Sequence, residues 1–147
     1  MKNLLLSLAL MAAPALANAN DYQIGDLTIS HTVAQATPAT AMTGAGYLEI
    51  TNNGAADDYL VAIEASFPRV MVHNTKVEND VAMMFHVENL VIPAGETVTF
   101  AQGGLHVMFM GLNGDPFLVG ETIPAMLIFE NAGSVAIEFD VKDMNNH

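Results

Sequence analysis

Histidine and methionine are the residues of this sequence whose types and spacing could bind a metal. The chain contains five histidines and ten methionines but no cysteine, so its basic and soft ligands are imidazoles and thioethers. Three pairs are separated by a single residue within strand-like runs: Met71 with His73, Met84 with His86, and His106 with Met108. Because residues i and i+2 of a strand share a face and lie about 7 Å apart, each pair could reach one ion.

These ligand types favour copper. Thioether sulfur is a soft ligand that binds Cu(I) well and zinc, magnesium or calcium poorly, whereas imidazole accepts both Cu(I) and Cu(II). A thioether needs no deprotonation, so its binding would persist in mild acid. The absence of cysteine excludes thiolate metal sites, iron–sulfur clusters, thiol nucleophiles and the blue-copper site. The residues therefore indicate a site that holds Cu(I) and can release it, with Cu(II) as an alternative.

Single methionines and histidines usually have other roles. A methionine in a strand most often fills space in the core, and we treat four of them as packing residues: Met42, Met83, Met110 and Met126. A lone strand histidine is usually a surface or hydrogen-bonded residue, which is our interpretation of His31. Residue types alone leave a metal site and ordinary packing as alternatives.

Short β-like runs separated by turn residues must position these side chains. No stretch sustains a helical apolar repeat, and strand-like runs at intervals of about 8–12 residues are typical of a single all-β domain, an antiparallel β-sandwich or small barrel. Glu78-Asn79-Asp80 reads as a hairpin turn. The runs are Tyr22–Ser30, Gly46–Asn52, Tyr59–Ala65, Val70–Val77, Val81–Val87, Glu96–Phe100, Leu105–Met110, Thr122–Glu130 and Ser134–Val141.

The N-terminus has the layout of a cleaved secretory signal. Lys2 precedes the apolar run Leu4–Ala13, which is too short to span a bilayer, and small residues in A-x-A patterns follow. We expect cleavage after Ala19, or alternatively after Ala17. The mature domain would then be residues 20–147, of which 142–147 are polar and expected to be frayed. The signal predicts export from the cytoplasm.

The chain is strongly acidic. It has 16 acidic and 4 basic residues, for a formal charge of −12. This balance argues against nucleic acid as a partner, because phosphates require clustered Lys and Arg, and against docking on an anionic membrane surface. No segment approaches the run of about 18 apolar residues that a membrane helix needs. We expect no stable membrane insertion, and a monomer.

Four of the candidate ligands have a specific spacing. His73, Met84, His106 and Met108 follow the pattern H-x10-M-x21-H-x-M, which resembles the motif of the PCuAC family of periplasmic copper chaperones. The flanking segments GAGYLEITNNG, PAGETV and GLHVMFMGL are similar too. The resemblance covers most of the mature domain, from about Tyr22 to Val141.

The resemblance implies a cupredoxin-like β-sandwich that lacks the blue-copper cysteine, with a Cu(I) site formed by the four matched residues. It also implies copper delivery in the periplasm to an accepting protein, such as a cytochrome c oxidase subunit during assembly or another copper chaperone. Transfer would proceed by ligand exchange, so the protein is expected to be a carrier and not an enzyme.

The sequence departs from the family pattern beside the second ligand. The residues that follow Met84 are commonly Arg-Pro in the family and are Phe85-His86 here. His86 is therefore a candidate fifth ligand, or an exposed neighbour, on the same strand face as Met84. Some members carry a Met/His-rich C-terminal extension, whereas this chain has only Met144 and His147 there, which gives little support to a second site.

Three other functions remain as alternatives. A periplasmic copper buffer would use the same ligands without a dedicated acceptor. A metalloenzyme is disfavoured, because zinc catalysis uses histidine and carboxylate ligands with an open position, and half of the matched ligands are thioethers. A metal-free structural or adhesion domain predicts no copper binding and no effect of substituting His106 or Met108.

Overall fold

The computed structural model describes residues 21–144 as an all-β fold of eleven strands. The leader predicted at residues 1–19 and His147 lie outside this part of the chain. Residues 21–144 include no helix of the length and hydrophobicity that crossing a membrane requires. The strands are β1 Tyr22–Ile24, β2 Leu27–Gln35, β3 Thr43–Asn52, β4 Asp58–Glu64, β5 Arg69–Glu78, β6 Val81–His86, β7 Leu90–Ile92, β8 Thr97–Thr99, β9 His106–Met110, β10 Thr122–Phe129 and β11 Gly133–Lys142.

The strands form one continuous sheet in the order β6-β5-β9-β3-β2-β11-β10-β4-β7, with β1 paired to β2 and β8 paired to β3. Neighbouring strands are antiparallel, except that β11 and β2 are parallel. The sheet folds over so that β4 contacts β5 and β3 contacts β7. The predicted all-β, predominantly antiparallel class is confirmed.

Three differences stand out between the observed strands and the sequence-based expectation. The first predicted run divides at Gly25, whose φ of 56° requires a left-handed conformation. β7 was not predicted, because three residues are too few to show a period. β11 includes Lys142, whose carbonyl oxygen accepts a hydrogen bond of 2.9 Å from Ala36 N. The last strand therefore includes the first residue of the segment that we expected to be frayed.

A cluster of phenylalanine rings fills the core behind β9. Phe109 is fully buried, and its ring meets those of Phe67, Phe117 and Phe139 edge to face, with centroids 5.3, 5.4 and 5.6 Å apart. Such edge-to-face contacts add about 0.5–1.5 kcal/mol each to the burial of the rings. This packing holds β9 firmly against the opposite layer.

The β5–β6 hairpin projects from the edge of the sheet. Asn79 and Asp80 have φ values of 50° and 63°, as in the type I′ turn that joins two strands through two residues. The predicted hairpin turn is thus confirmed. β6 pairs with β5 at the end of the sheet order, and all six of its residues are exposed. Both faces of this edge strand therefore reach solvent.

Two of the four methionines that we treated as packing residues are exposed. Met42 and Met83 are among the large hydrophobic residues most open to solvent, so that interpretation is wrong for both. Met83 belongs to the projecting β6 strand, all six residues of which are exposed. Met110 and Met126 are partly buried.

Candidate metal centre

Three histidines from adjacent strands lie side by side. His73 of β5 is aligned with His86 of β6 and with His106 of β9. The ring centroids of His73 and His86 are 6.1 Å apart, and those of His73 and His106 are 5.9 Å apart. Because directly opposed residues of a sheet share a face, these imidazoles form a line across three strands. We call it the histidine row.

Strand β9 separates the core from this face of the sheet. Val107 and Phe109 are fully buried in the core, so alternation directs His106 and Met108 to the other face. Met108 is aligned with Met71 of β5. The predicted sharing of one face by His106 and Met108 follows directly from this arrangement.

The second matched methionine lies at the same cavity. Met84 is aligned with Thr75, two residues after His73 on β5. Met84, His106 and Met108 line a cavity of about 390 Å³. The fourth matched residue, His73, adjoins this cavity through its contact with the ring of His106. Three of the four residues that share the motif spacing therefore line one cavity, and the fourth, His73, contacts one of them.

The imidazole of His106 is held in one tautomer. Its Nδ1 atom lies 3.0 Å from the carbonyl oxygen of Gly104, and since a carbonyl only accepts, Nδ1 carries the proton and donates it. Nε2 is then the atom with the free lone pair. His106 is only 5% exposed, and within residues 21–144 its Nε2 has no hydrogen-bond partner. A buried acceptor in this state is costly, and a bound metal would satisfy it.

The Nδ1 atom of His73 resembles the Nε2 atom of His106. It is also buried and lacks a hydrogen-bond partner among the described residues. Burial lowers the pKa of His73, and the neighbouring His106 and His86 lower it further. A lowered pKa favours the neutral imidazole, which is the form that binds metals.

The candidate fifth ligand is aligned with the row but more open to solvent. The His86 side chain is 46% exposed, and its Nδ1 lies 3.9 Å from Glu88 Oε1. It lines a different cavity, of about 480 Å³, together with Met71. In the described part of the chain, no three His, Asp or Glu residues are grouped closely enough to hold one metal ion. The three imidazoles therefore form two adjacent pairs, and His86 does not line the cavity that contains Met84.

The other histidine and methionine candidates lie elsewhere. His31 is exposed, and its Nε2 is 3.8 Å from Glu49 Oε2, in agreement with our interpretation of a surface residue. Met144 follows β11 and does not line the cavity beside His106.

Two further cavity residues were missed by sequence reasoning. Tyr47 and Thr75 line the cavity with His106 and Met108. Burial raises the pKa of the Tyr47 phenol, so its hydroxyl stays protonated at neutral pH. The available signal for Thr75 was its i+2 spacing from His73. Tyr47 could be placed only once the pairing of β3 with β9 was known.

The fold is that of PCuAC domains. The copper-bound PCuAC domain of PmoF2 superposes with a TM-score of 0.71 at 24% identity, covering 84% of this chain and 97% of that domain. Apo-DR1885 from Deinococcus radiodurans superposes with a TM-score of 0.62 at 30% identity, covering 89% and 87%. Its Cu(I) form gives 0.64 at 28% identity, covering 87% and 84%.

One sequence relative and one matching family model are described as lipoproteins. "Putative lipoprotein Lxx21020" of Leifsonia xyli subsp. xyli (strain CTCB07) is 29% identical over 103 residues, which are 69% of this chain and 61% of that protein's length. The sequence model of the family described as "Putative lipoprotein LpqE-like" matches residues 27–141. Since this match spans nearly all of the folded domain, the chain belongs to the LpqE-like family.

Proposed function

We propose that this protein is a copper carrier of the cell envelope. It binds one Cu(I) ion through His73, Met84, His106 and Met108, and it passes the ion to an accepting protein by ligand exchange. The observation that carries this proposal is a pair of neighbouring imidazoles beside a cavity lined by two thioethers. Each imidazole has a buried nitrogen that finds no hydrogen-bond partner within residues 21–144.

The donor set fits Cu(I). Two imidazoles and two thioethers combine borderline and soft ligands, which Cu(I) prefers over the hard oxygen donors that suit magnesium or calcium. Neutral imidazole and thioether bind without losing a proton, so loading and release do not depend on deprotonating a ligand. The site can therefore hold copper and still exchange it.

The buried and the exposed ligands of the site have different roles in copper transfer. His106 is buried and held by Gly104, so it stays in place when copper leaves. Met84 is 62% exposed on an edge strand, so a ligand of the accepting protein can displace its thioether first. Such stepwise displacement keeps copper bound to protein throughout the transfer.

The solved relatives support copper as the cargo, because the PmoF2 domain is copper-bound and DR1885 has a Cu(I) form. The signal-like leader and the lipoprotein-type relatives support a location in the envelope, which we take to be the periplasm. We infer an accepting protein such as a cytochrome c oxidase subunit or another copper chaperone. The charge of −12 favours a partner with a basic docking face.

The first test is an anaerobic Cu(I) titration of the purified protein against a competing chromophoric chelator. We expect one copper per chain, and a loss of affinity of about a hundredfold or more in His106→Ala and Met108→Leu. His31→Ala is the matched control and should bind like the wild type. Failure of the wild type to compete for Cu(I), or wild-type affinity in His106→Ala, would overturn the proposal.

A second test addresses delivery. Copper-loaded protein is mixed with the copper-free metal-binding domain of an oxidase subunit, and copper on each partner is measured after separation. We expect copper to move to the oxidase domain faster than it dissociates into a weak chelator. Binding without transfer would favour a copper buffer over a carrier.

A further inference from the structure

The histidine row runs from the core to the solvent-exposed edge of the sheet. His106 is 5% exposed on β9, His73 is half-buried on β5, and the side chain of His86 is 46% exposed on β6. Adjacent rings are separated by 5.9 and 6.1 Å. The histidine row thus extends from the buried imidazole of His106 to the exposed imidazole of His86, which a partner protein can contact.

The row consists of two overlapping pairs that share His73. A metal about 2.0 Å from one nitrogen of each ring can join two imidazoles whose centres are about 6 Å apart, and both pairs meet this condition. No three His, Asp or Glu side chains in residues 21–144 are grouped closely enough to hold one ion. The spacing therefore favours two successive two-imidazole positions over a single three-imidazole site.

We propose that His86 is an outer copper ligand through which Cu(I) enters and leaves the site. Copper first binds between His86 and His73, and His106 then displaces His86 while His73 remains bound. One copper–nitrogen bond forms for each one that breaks, copper stays Cu(I), and neutral imidazoles exchange no proton. This inference rests on the proposed copper-carrier function and adds the route by which its cargo reaches the buried ligands.

The surroundings of His86 suit a ligand. Glu88 Oε1 lies near Nδ1, and a carboxylate on one nitrogen of a ligating imidazole is a common arrangement that leaves the other nitrogen for the metal. Met84 precedes His86 by two residues on β6 and thus lies on the same strand face. The neighbouring residue on this face of β6 is therefore a methionine that lines the inner cavity.

Anaerobic stopped-flow kinetics tests this route. Cu(I) is loaded onto the protein and removed by bathocuproine disulfonate, and the rate constants of both steps are measured in wild type and His86→Gln. We expect both rate constants to fall about tenfold in His86→Gln while the equilibrium affinity changes by less than about threefold. A ligand used only in transit affects loading and release alike, because both follow the same path.

Two further variants test whether the change in rate is specific to the loss of a copper ligand at position 86. His31→Gln is the matched control, since His31 is also exposed and also lies within 4 Å of a glutamate, at 3.8 Å, and it should leave both rates unchanged. His86→Met retains a copper ligand, so it should recover most of the lost rate. Thermal unfolding of the copper-free variants verifies that each is folded.

The remaining outcomes contradict the inference in different ways. Wild-type rates in His86→Gln would make His86 a bystander. A loss of affinity as large as that of His106→Ala would make His86 a permanent ligand of one site. Rate constants in His86→Met as low as those in His86→Gln would show that no copper bond forms at this position. Absence of Cu(I) binding in the wild type would instead overturn the carrier function itself.

Discussion

His73 and His106 face each other across the β5–β9 pair, with ring centroids 5.9 Å apart. Each ring has one buried nitrogen without a hydrogen-bond partner in the described part of the chain. In a metal-free protein this juxtaposition is unfavourable, because two polar atoms have lost water without gaining a partner. Copper binding would remove the penalty on both at once. Four predictions test this relationship and the strand packing that holds the two histidines in place.

The first prediction concerns the pH dependence of stability in the copper-free protein. The pKa of His73 is lowered from its ordinary value of 6.5, chiefly by burial. The unfolded chain therefore binds a proton at higher pH than the folded one, so the free energy of unfolding should fall as pH drops from 6.5 towards the lowered pKa. Urea unfolding of wild type and His73→Gln across this window measures the effect.

The control for this experiment is His31→Gln, which removes an exposed histidine outside the histidine row. His73→Gln should lose a part of the slope below pH 6.5, because the residue that takes up the proton on unfolding is gone. Identical slopes in wild type and His73→Gln would show that His73 titrates alike in both states.

The second prediction compares neighbouring methionines on β6. Met84 and Met83 are both exposed, at 62% and 52%, but they lie on opposite faces of the strand, and Met84 alone of the two lines the cavity. Met84→Leu should weaken Cu(I) binding by about tenfold or more, and Met83→Leu should not. Chelator competition measures both. Since both side chains are exposed, we expect each substitution to change the free energy of unfolding by no more than about 0.5 kcal/mol. Equal Cu(I) affinity in the two variants would exclude Met84 as a ligand.

The third prediction concerns a glycine behind the cavity. A Cβ atom at Gly44 would lie 2.5 Å from Cε2 of Phe117, a fully buried ring, so Gly44→Ala should destabilise the protein by about 1–3 kcal/mol through overpacking. At Gly104 the nearest atom to an added Cβ is the Ala101 carbonyl oxygen, at 3.6 Å, which is an ordinary contact. Gly104→Ala should unfold at close to the wild-type urea concentration, and equal midpoints for the two variants would contradict the packing seen at Phe117.

The fourth prediction is that the core face of β9 affects stability and not Cu(I) binding. Phe109→Ala removes a ring that packs against three others and should cost about 3–5 kcal/mol. Phe109→Leu preserves most of the volume, so it should fold and bind Cu(I) with wild-type affinity because position 109 faces away from the site. Phe85→Ala, at an exposed position of β6, serves as the control for stability. A copper-binding defect in folded Phe109→Leu would show that the two faces are coupled.

Part of this arrangement could be predicted from local sequence. The period-2 pattern and turn residues located most strands, and the two-residue turn at Asn79-Asp80 determines which β5 and β6 residues are opposed. The alignment of His73 with His86 follows from that turn. The motif spacing identified three residues that line the cavity and a fourth that contacts one of them, although their role as copper ligands stays a prediction.

Other features depend on contacts between distant segments. β5 and β9 are joined by no tight turn, so nothing local aligns His73 with His106. The parallel pairing of β11 with β2 likewise has no local signal. Met83 was misassigned to packing because its apolar character does not show whether a second layer covers its strand, and the residues of β6 are all exposed.

Strand β9 contributes alternate residues to two different tasks within five positions, with Val107 and Phe109 in the core and His106 and Met108 on the metal face. Inserting or deleting a single residue inside it would exchange the two sets, placing phenylalanine at the cavity and imidazole in the hydrocarbon interior. Length variation among homologues should therefore be excluded from this strand and confined to loops, such as the one that follows Gly111. This short strand should therefore tolerate substitution at several positions but no insertion or deletion, because either one would change which face each side chain occupies.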